Sequence, residues 1–364
     1  MSLPMNRIRL EGLTKTYGRR TVLDHIDLEI EPETLTVFCG PPHAGKSVLL
    51  RVLVGLEAPD GGRILIDDRD ITKLPAAERT IGYVPQSFAL FPHISVFDNV
   101  AYPLTLQGVA RDQIERRVGQ AAEVLRITKL LQKRPSQLSG GEKQRAAIAR
   151  GILKDAQIFI LDDPLVGLDF KLRESLMEDL TEMRGQLGAT FLYATADPLE
   201  ALTMAEHLVV LDAGRVVDAN RVDEVYRTPA HIRAAELVGF PRCNVLEGTL
   251  EGGECITNIA RFRVTVAAGA GRQVRVVVRP EQLRQAAPGE SATGTGTIRL
   301  LENLGGESVI YFTTAGGEGT LVTTVPSPEI AGRDLGDAFP FVFRPEGVLV
   351  YDSASGIRIG HANA

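Results

Sequence analysis

GPPHAGKS, at residues 40–47, is the segment of this sequence that decides its fold. It fits the pattern G-x-x-x-x-G-K-[ST], in which the backbone N–H groups of a loop surround phosphate oxygens. An apolar run at 34–39 precedes it and predicts a strand, and the run at 48–55 predicts a helix. Because a P-loop needs a strand before it and a helix after it, we expect Lys46 to reach the β- and γ-phosphates of a nucleotide and the Ser47 hydroxyl to ligate Mg²⁺.

A second apolar run, at 158–161, leads directly into Asp162, Asp163 and Pro164. This is the form of a buried parallel strand that delivers carboxylates to the phosphate end of a site. We expect Asp162 to hold Mg²⁺, directly or through water, and Asp163 to act as the general base that orients the attacking water. Paired acids at a strand end also occur in solvated turns, but the P-loop favours the catalytic interpretation.

The octet LSGGEKQR, at 138–145, predicts a second phosphate-binding turn. Ser139 offers a hydroxyl, and Gly140 and Gly141 let the backbone approach a ligand closely. A helix that begins at the glycines directs its free N–H groups and the positive end of its dipole outward, where an anion binds. A Gly-Gly turn that only starts a helix is the alternative; the nucleotide-binding motifs elsewhere in the chain disfavour it.

Together and in this order, these motifs resemble the ATPase subunit of ABC transporters, and the resemblance extends over most of the chain. It implies an α/β P-loop NTPase core that binds ATP and Mg²⁺, and two chains arranged head to tail, so that each nucleotide lies between one P-loop and the other chain's LSGG. The ATP-binding residues that it implies are Tyr17, Gly40, Pro41, Pro42, His43, Ala44, Gly45, Lys46, Ser47 and Val48. The residues implied to contact the partner chain's nucleotide are Ser139, Gly140, Gly141, Glu142 and Gln144.

Three further positions take their roles from the same resemblance. Tyr17 is where the family stacks a ring on adenine, Gln86 is where a flexible loop links Mg²⁺ to the membrane subunits, and Asp169 is where the two ATPase chains touch. The implied metal ligands are then Ser47, Gln86 and Asp162, and the implied catalytic residues are Asp163 and Gln86. Each of the three is weak alone, since Tyr beside Gly is usually a turn and Asp after Gly-Leu is usually a helix cap.

The sequence departs from the family pattern at the predicted catalytic centre. Ala196 stands where the family typically has a histidine that contacts the γ-phosphate, and a methyl group cannot donate a hydrogen bond. Asp163 replaces the usual Glu, which withdraws the carboxylate by about 1.5 Å, and a misplacement of about 1 Å can cost on the order of 100-fold in rate.

Three further departures lie in or next to the P-loop. Pro42 stands where a Ser hydroxyl usually faces the γ-phosphate, His43 replaces a Gly, and Val48 replaces a Thr. Proline has no N–H to donate. We interpret the remaining groups as sufficient to bind Mg-ATP and the hydrolysis at this chain's own P-loop as slow. The alternative is that Asp163 works through an extra water or that a neighbouring residue substitutes.

The chain therefore contributes unequally to two sites, which favours a heterodimer with a second, more orthodox ATPase subunit. The form of the segment 195–201, TADPLEA, is similar to the branch of carbohydrate importers in which glycerol or polyol systems use two different ATPase chains. A homodimer with two slow sites is the competitor. A homodimeric ATPase of an importer for an inorganic anion or another small solute is the alternative function. A soluble protein that acts on ribosomes or DNA is disfavoured, because such proteins usually have tandem cassettes or long coiled coils.

The texture of the sequence divides the chain in two. We predict a nucleotide-binding domain at 1–238, with a helical subdomain at about 87–152, and a second domain at 239–364. The segment from Asp112 to Leu131 carries the apolar stripe of an amphipathic helix. Short alternating runs after residue 240 predict a C-terminal β-barrel of the oligonucleotide/oligosaccharide-binding (OB) type. The barrel region resembles the regulatory domain of carbohydrate-importer ATPases, and a purely structural clamp is the other interpretation.

Composition limits the partners. The net charge of −6 argues against nucleic acid as the main partner, and no apolar run reaches the roughly 20 residues that span a bilayer. The first twelve residues lack an apolar signal core, and the three cysteines have no metal-ligand spacing. The expected location is thus peripheral, on the cytoplasmic side of the inner membrane. By resemblance, the chain works with two transmembrane permease subunits and indirectly with an extracytoplasmic solute-binding protein.

Overall fold

The computed structural model of the protein describes residues 6–266, 273–314 and 319–363. The chain divides into two compact units, Met1–Val222 and Asp223–Ala364. The domain boundary at residue 238 stays a prediction. The first five residues of the segment expected to lack a signal core lie outside the described residues.

The first unit alternates strands and helices, as the sequence predicts for an α/β core. Its strands are β1 (Ile8–Tyr17), β2 (Arg20–Ile30), β3 (Leu35–Cys39), β4 (Gly61–Ile66), β5 (Arg69–Asp70), β6 (Ile81–Val84), β7 (Ile158–Asp162), β8 (Thr190–Thr195), β9 (His207–Asp212) and β10 (Arg215–Arg221). Its helices are α1 (Lys46–Val54), α2 (Val96–Leu106), α3 (Arg111–Val124), α4 (Gly140–Ile152), α5 (Phe170–Leu187) and α6 (Pro198–Met204).

The central sheet has the strand order β10-β9-β3-β8-β7-β6, and its inner strands are parallel. Every residue of β3, β7 and β8 is buried, because helices cover both faces of such a sheet. In register, Cys39 lies beside Thr195 and Asp162 beside Ala194. The carboxyl ends of three strands therefore meet at one edge of the sheet, which is where an α/β fold binds its ligand.

A second sheet, with the order β2-β1-β4-β5, is antiparallel. Leu10, Leu13 and Ile26 from this sheet share one buried cluster with Leu49 and Leu50 of α1. This packing fixes β1 against the helix that follows the P-loop.

Three helices occupy residues 96–152. The buried residues of α3 are Ile114, Val118, Ala121 and Ala122, which form most of the predicted apolar stripe; its last two residues, Leu125 and Ile127, are also buried but follow the helix. The helix ends at Val124 rather than near Leu131, because Arg126 has φ = 55°, a left-handed conformation that stops an α-helix. A single 3₁₀ turn, Thr128–Leu130, takes its place.

The second unit is mostly antiparallel β-structure, preceded by the short helices α7 (Val222–Arg227) and α8 (Ile232–Leu237). Its strands are β11 (Asn244–Glu251), β12 (Glu254–Thr257), β13 (Arg261–Val266), β14 (Gln273–Val278), β15 (Leu283–Gln285), β16 (Gly294–Asn303), β17 (Glu307–Thr314), β18 (Thr320–Pro326), β19 (Ala338–Phe343), β20 (Leu349–Asp352) and β21 (Arg358–Ala362).

The predicted barrel is confirmed, with strands in the closed order β11-β12-β13-β21-β20-β14. It has six strands, where an OB-fold has five. The remaining strands form a five-stranded sheet, β15-β19-β16-β17-β18, which the sequence did not distinguish from the barrel. Buried phenylalanines, including Phe312, Phe339 and Phe341, join the barrel and this sheet in one hydrophobic cluster. In the part of the chain that the structure describes, no helix is both long and apolar enough to span a membrane.

Candidate nucleotide-binding site

The P-loop connects β3 to α1 at the carboxyl edge of the central sheet. Gly45 is the N-cap of α1 and has φ = 107°, which only glycine adopts without strain. A Cβ atom at Gly40 would lie 2.2 Å from the carbonyl oxygen of Leu211, so this position also requires glycine. The loop conformation is therefore fixed by its two motif glycines.

Lys46 begins α1, and its side chain is almost fully buried under the loop. Its Nζ donates to the carbonyl oxygens of Gly40, at 2.6 Å, and Pro41, at 3.1 Å. Burial lowers the pKa of Lys46, while the nearby Cys39, Asp163 and Asp162 act in the opposite direction. Because the Lys46 ammonium is desolvated and lies beside the P-loop, it is suited to binding an anion.

Ser47 and Asp162 form the part of the site that suits Mg²⁺. The Ser47 hydroxyl donates to Asp162 Oδ1 at 2.7 Å, and the Tyr83 hydroxyl donates to Asp162 Oδ2 at 3.3 Å. Hydroxyl and carboxylate oxygens are hard ligands, and Mg²⁺ usually takes one or two carboxylates together with substrate phosphates and waters. Among the described residues, no group of three or more His, Cys, Asp or Glu side chains is arranged to hold a metal ion.

Asp163 follows β7 in a strained conformation. Its φ of 50° is uncommon for a residue with a side chain, and its N–H donates to the Ala194 carbonyl at 3.0 Å. Burial raises the pKa of the Asp163 carboxyl, and the negative charge of Glu200 adds to this shift. A carboxyl group with a raised pKa is a better proton acceptor than an exposed aspartate.

A polar network surrounds Ala196, at the end of β8. Glu200 is buried and accepts hydrogen bonds from the hydroxyls of Tyr193, at 3.0 Å, and Thr195, at 2.7 Å. Arg173 from α5 pairs with Asp197 at 2.8 Å and with Glu200 at 3.4 Å. Sequence reasoning did not select Arg173 or Glu200 as site residues; the only available signal was the TADPLEA segment that contains Glu200.

Tyr17 borders the open side of the P-loop, where the structure has a cavity of about 300 Å³. Tyr17 is 45% exposed as a residue, and Lys15 Nζ lies 5.4 Å from the centroid of its ring. The residues that line this cavity are Tyr17, Arg20, Val22, His43, Ala44, Gly45, Lys46, Ser47, Val48 and Arg51. The structure thus brings together Tyr17 and most of the predicted P-loop set, whereas Gly40, Pro41 and Pro42 do not line the cavity.

The LSGG turn starts α4 as a capping box. The Ser139 hydroxyl accepts from the Glu142 N–H at 3.3 Å, and a Glu142 carboxylate oxygen accepts from the Ser139 N–H at 2.7 Å. Around Gly140 there is open space, but a Cβ atom at Gly141 would lie 1.9 Å from a methyl carbon of Leu172. Gly140 therefore leaves the turn accessible, and Gly141 is needed for close packing of α4 against α5.

The remaining predicted residues have these surroundings. Gln144 is buried in α4, and its Nε2 has no hydrogen-bond partner among the described residues. Asp169 caps α5, where its side chain accepts from the Leu172 N–H at 3.0 Å. Gln86 is exposed in the segment after β6. Most of the predicted residues thus lie in two groups of the first unit, one at the P-loop edge and one at the start of α4, whereas Asp169 lies at the start of α5 and Gln86 after β6.

A P-loop with a buried lysine lies at the edge of a parallel sheet, after β3. An Asp-Asp pair lies at the end of β7, which is separated from β3 by β8. These features define a nucleotide-binding ATPase. Comparisons with known proteins identify the family. Residues 23–166 match the ABC transporter family, and residues 276–350 match the TOBE domain.

Relatives match nearly the whole chain. The sn-glycerol-3-phosphate import ATP-binding protein UgpC of Ruegeria pomeroyi is 36% identical over 359 residues, which cover 98% of this chain and 99% of that protein. The trehalose/maltose import ATP-binding protein MalK of Thermococcus litoralis is 34% identical over 98% of this chain and 100% of that protein. A dimeric structure of the ATP-binding cassette MJ0796 bound to ADP and Pi matches with a TM-score of 0.55 and 28% identity, over 59% of this chain and 98% of that one. The chain belongs to the ATP-binding proteins of the ABC transporter family.

Proposed function

We propose that this chain is the energy-coupling ATPase subunit of an ABC importer for a carbohydrate or a polyol, including glycerol-like solutes. The observation that carries this proposal is the similarity to sugar and glycerol-3-phosphate import proteins over 98% of the chain, which includes the C-terminal unit. Neither of these relatives is named for an inorganic anion, so the alternative of an inorganic-anion importer has no such support.

In this proposal, Lys46 and the loop amides hold the phosphates of ATP, and Tyr17 stacks on the adenine. Ser47 and Asp162 hold Mg²⁺, which supplies charge neutralisation at the phosphates, and Gln86 completes its ligands. Asp163 orients the attacking water. The geometry that supports the roles of Ser47, Asp162 and Lys46 is the Ser47–Asp162 hydrogen bond of 2.7 Å beside the buried lysine.

The site on this chain's own P-loop hydrolyses ATP slowly. Ala196 offers no donor to a γ-phosphate, and the Asp163 side chain is one methylene shorter than the family's glutamate. Arg173 and Glu200 are already paired with each other, and Glu200 accepts two hydroxyl hydrogen bonds. The network at the end of β8 is therefore held by internal contacts rather than directed at a nucleotide.

The chain pairs with a second ATPase subunit, and a different one is favoured over a second copy. Ser139, Gly140, Gly141, Glu142 and Gln144 then face the partner's nucleotide, and Asp169 lies at the contact between the chains. The structure of the similar MJ0796 cassette is a dimer, which supports pairing in general. The assembly also contains two transmembrane permease subunits and receives solute from an extracytoplasmic binding protein. The chain itself is peripheral on the cytoplasmic side of the membrane.

The experiment is to purify the complex from native membranes through a tag on this chain and to identify its companions by mass spectrometry. A second ATPase with Glu and His at the positions of Asp163 and Ala196, beside two permease subunits, is the expected result. Recovery of this chain and permeases without another ATPase contradicts the heterodimer. Recovery without any permease contradicts the importer.

A further inference from the structure

The second unit contains a cavity of about 970 Å³ that the nucleotide site does not use. Its volume is at the upper end of the range of about 300–1,000 Å³ found for small-molecule sites. It lies between α7, the 3₁₀ turn Pro280–Gln282 and the strands β20 and β21. Every lining residue belongs to the second unit.

Basic side chains outnumber acidic ones in its wall. Arg227, Arg279 and Arg358 face it together with Glu281 and Glu346, and His361 adds a third kind of titratable group. Neither Arg227 nor Arg358 forms an ion pair within the described parts of the chain. Two guanidinium groups are thus available to an incoming anion.

Arg279 holds a buried positive charge at this wall. It is 5% exposed, and its guanidinium donates to the carbonyl oxygens of Tyr226, at 2.7 Å, and Ala235, at 3.1 Å, as well as to that of Val238. It also lies 4.2 Å from the Tyr226 ring centroid. These carbonyl oxygens accept from the two Nη groups of Arg279, whereas its Nε has no hydrogen-bond partner among the described residues. Neutral carbonyl oxygens do not cancel the charge of the guanidinium, so the positive potential persists in the cavity.

The acidic and apolar residues of the cavity wall provide hydrogen-bond acceptors and apolar surface, in contrast to the positive charge of the arginines. Glu281 accepts from the Tyr226 hydroxyl at 2.9 Å and is exposed, and Glu346 is exposed as well. A carboxylate accepts hydrogen bonds from hydroxyl groups. Leu349 and Ile359 offer apolar contact for a short carbon chain. The wall therefore matches a ligand that has both an anionic group and hydroxyl groups.

From this arrangement we infer that the cavity binds a small hydroxylated phosphate ester, with its phosphate on Arg227 and Arg358 and its hydroxyls on Glu281 and Glu346. Each guanidinium fork pairs with two oxygens. A phosphate presents three terminal oxygens and nearly two negative charges at pH 7, whereas a carboxylate presents two oxygens and one charge. Two free forks are thus better matched by phosphate. The site is independent of the transport role proposed above.

The test is calorimetric titration of the full chain with glycerol 3-phosphate as the probe. Because the P-loop also binds phosphate groups, the titration uses the Lys46→Ala variant alongside the unaltered chain. Saturable binding that survives in Lys46→Ala is the expected result. Binding that disappears in Lys46→Ala locates the ligand in the P-loop and overturns the inference, as does the absence of saturable binding in the unaltered chain.

Arginine variants test whether the probe binds in this cavity. Arg227→Ala and Arg358→Ala, made in the Lys46→Ala background, each weaken binding by at least about tenfold, since each removes a charge-assisted pair. The matched control is Arg261→Ala, an exposed arginine of β13 outside the cavity wall, which leaves affinity unchanged. Equal affinity in all three variants overturns the inference. All three side chains are exposed, so the fold is expected to be retained, and circular dichroism checks this.

Competition by inorganic phosphate and by glycerol shows which part of the ligand the cavity recognises. Inorganic phosphate displaces the probe and glycerol displaces it poorly, because the phosphate carries the charge. Displacement by glycerol at the same concentration as phosphate shows that the guanidinium groups do not select the ligand, and it contradicts the inference.

Discussion

The first unit carries two phosphate-binding motifs, and they differ in how far they depart from the family pattern. At the P-loop edge, Pro42, Asp163 and Ala196 stand where the family pattern implies side chains that act on the γ-phosphate or the attacking water. At the start of α4, the LSGG turn matches the pattern and is held by a capping box. The first motif depends on functional groups at the reacting centre. The second depends mostly on backbone geometry, which the retained Ser139 and its glycines preserve.

The comparison indicates that the residues for nucleotide binding are retained in this chain while those for hydrolysis are altered. The groups proposed to bind the nucleotide and its metal ion, Lys46 and the Ser47–Asp162 pair, are present at the P-loop edge. The groups proposed to act on the attacking water and the γ-phosphate are shortened at Asp163 and missing at Ala196. Under the proposed function, this chain supports hydrolysis at its partner's P-loop better than at its own, and each prediction below tests one side of this contrast.

The largest effect is expected from Ser139→Arg. The long cationic side chain fills the turn that faces the partner's nucleotide, so ATP turnover of the assembled complex falls by at least about 100-fold, the scale of a misplaced catalytic group. Phosphate release from the purified complex measures this. Ser136→Arg, a Ser→Arg change at an exposed position three residues earlier, is the control and keeps turnover. If Ser139→Arg retained turnover, the unequal-site model would fail.

Lys46→Ala tests whether the substituted P-loop still binds its own nucleotide. We expect the affinity for ATP to fall by at least about tenfold, because an ammonium–phosphate contact is charge-assisted. Titration with a fluorescent ATP analogue measures the change. Asp163→Asn is the matched control, since Asp163 is assigned to the attacking water rather than to the bound phosphates. Unchanged affinity in Lys46→Ala would mean that the loop with Pro42 and His43 does not hold ATP through its lysine.

The two glycines of the LSGG turn separate packing from ligand access. Gly141→Ala brings a Cβ atom to 1.9 Å from Leu172, whereas Gly140→Ala meets no atom within 4 Å. Gly141→Ala is therefore expected to destabilise the fold by about 1 kcal/mol, the low end for overpacking because Leu172 is only half-buried. Denaturant unfolding compares the two variants. Equal stability of both would show that Leu172 moves aside without cost.

Local signals account for what could be predicted from the sequence. The P-loop and the strand that ends at Asp162 each lie in a continuous segment whose apolar pattern and punctuation are visible. The apolar stripe of α3 was visible in the sequence as well. The end of the helix was not, because nothing in the pattern shows that Arg126 has a left-handed backbone conformation.

Contacts between distant segments were not predicted. One of the two partners of β13 in the barrel is β21, from the far end of the second unit, and short alternating runs do not show which runs pair. For the same reason the barrel and the five-stranded sheet were predicted as one element. In the first unit, Arg173 and Glu200 come from different helices, so their meeting beside Ala196 required the three-dimensional structure.

The smallest effect, and the most informative about the partner, is expected from the double variant Asp163→Glu/Ala196→His. It restores a general base of the usual length and a donor for the γ-phosphate. In a complex with one good site already working, a second restored site raises ATP turnover by only about twofold, since rates of independent sites add. In a symmetric homodimer the same variant restores both sites, and the increase would approach the 100-fold scale of a repositioned catalytic group.

The Ser139→Arg background makes this comparison decisive. There the partner's site is blocked, so all turnover that the double variant restores comes from this chain's own P-loop, facing the unaltered LSGG of a different subunit. Reappearance of turnover then establishes that Asp163 and Ala196 limit the site in a heterodimer. In a homodimer both LSGG turns carry the arginine, and turnover stays absent. If the double variant raised turnover neither in the otherwise unaltered complex nor in the Ser139→Arg background, the loop residues Pro42 and His43, rather than Asp163 and Ala196, would limit hydrolysis.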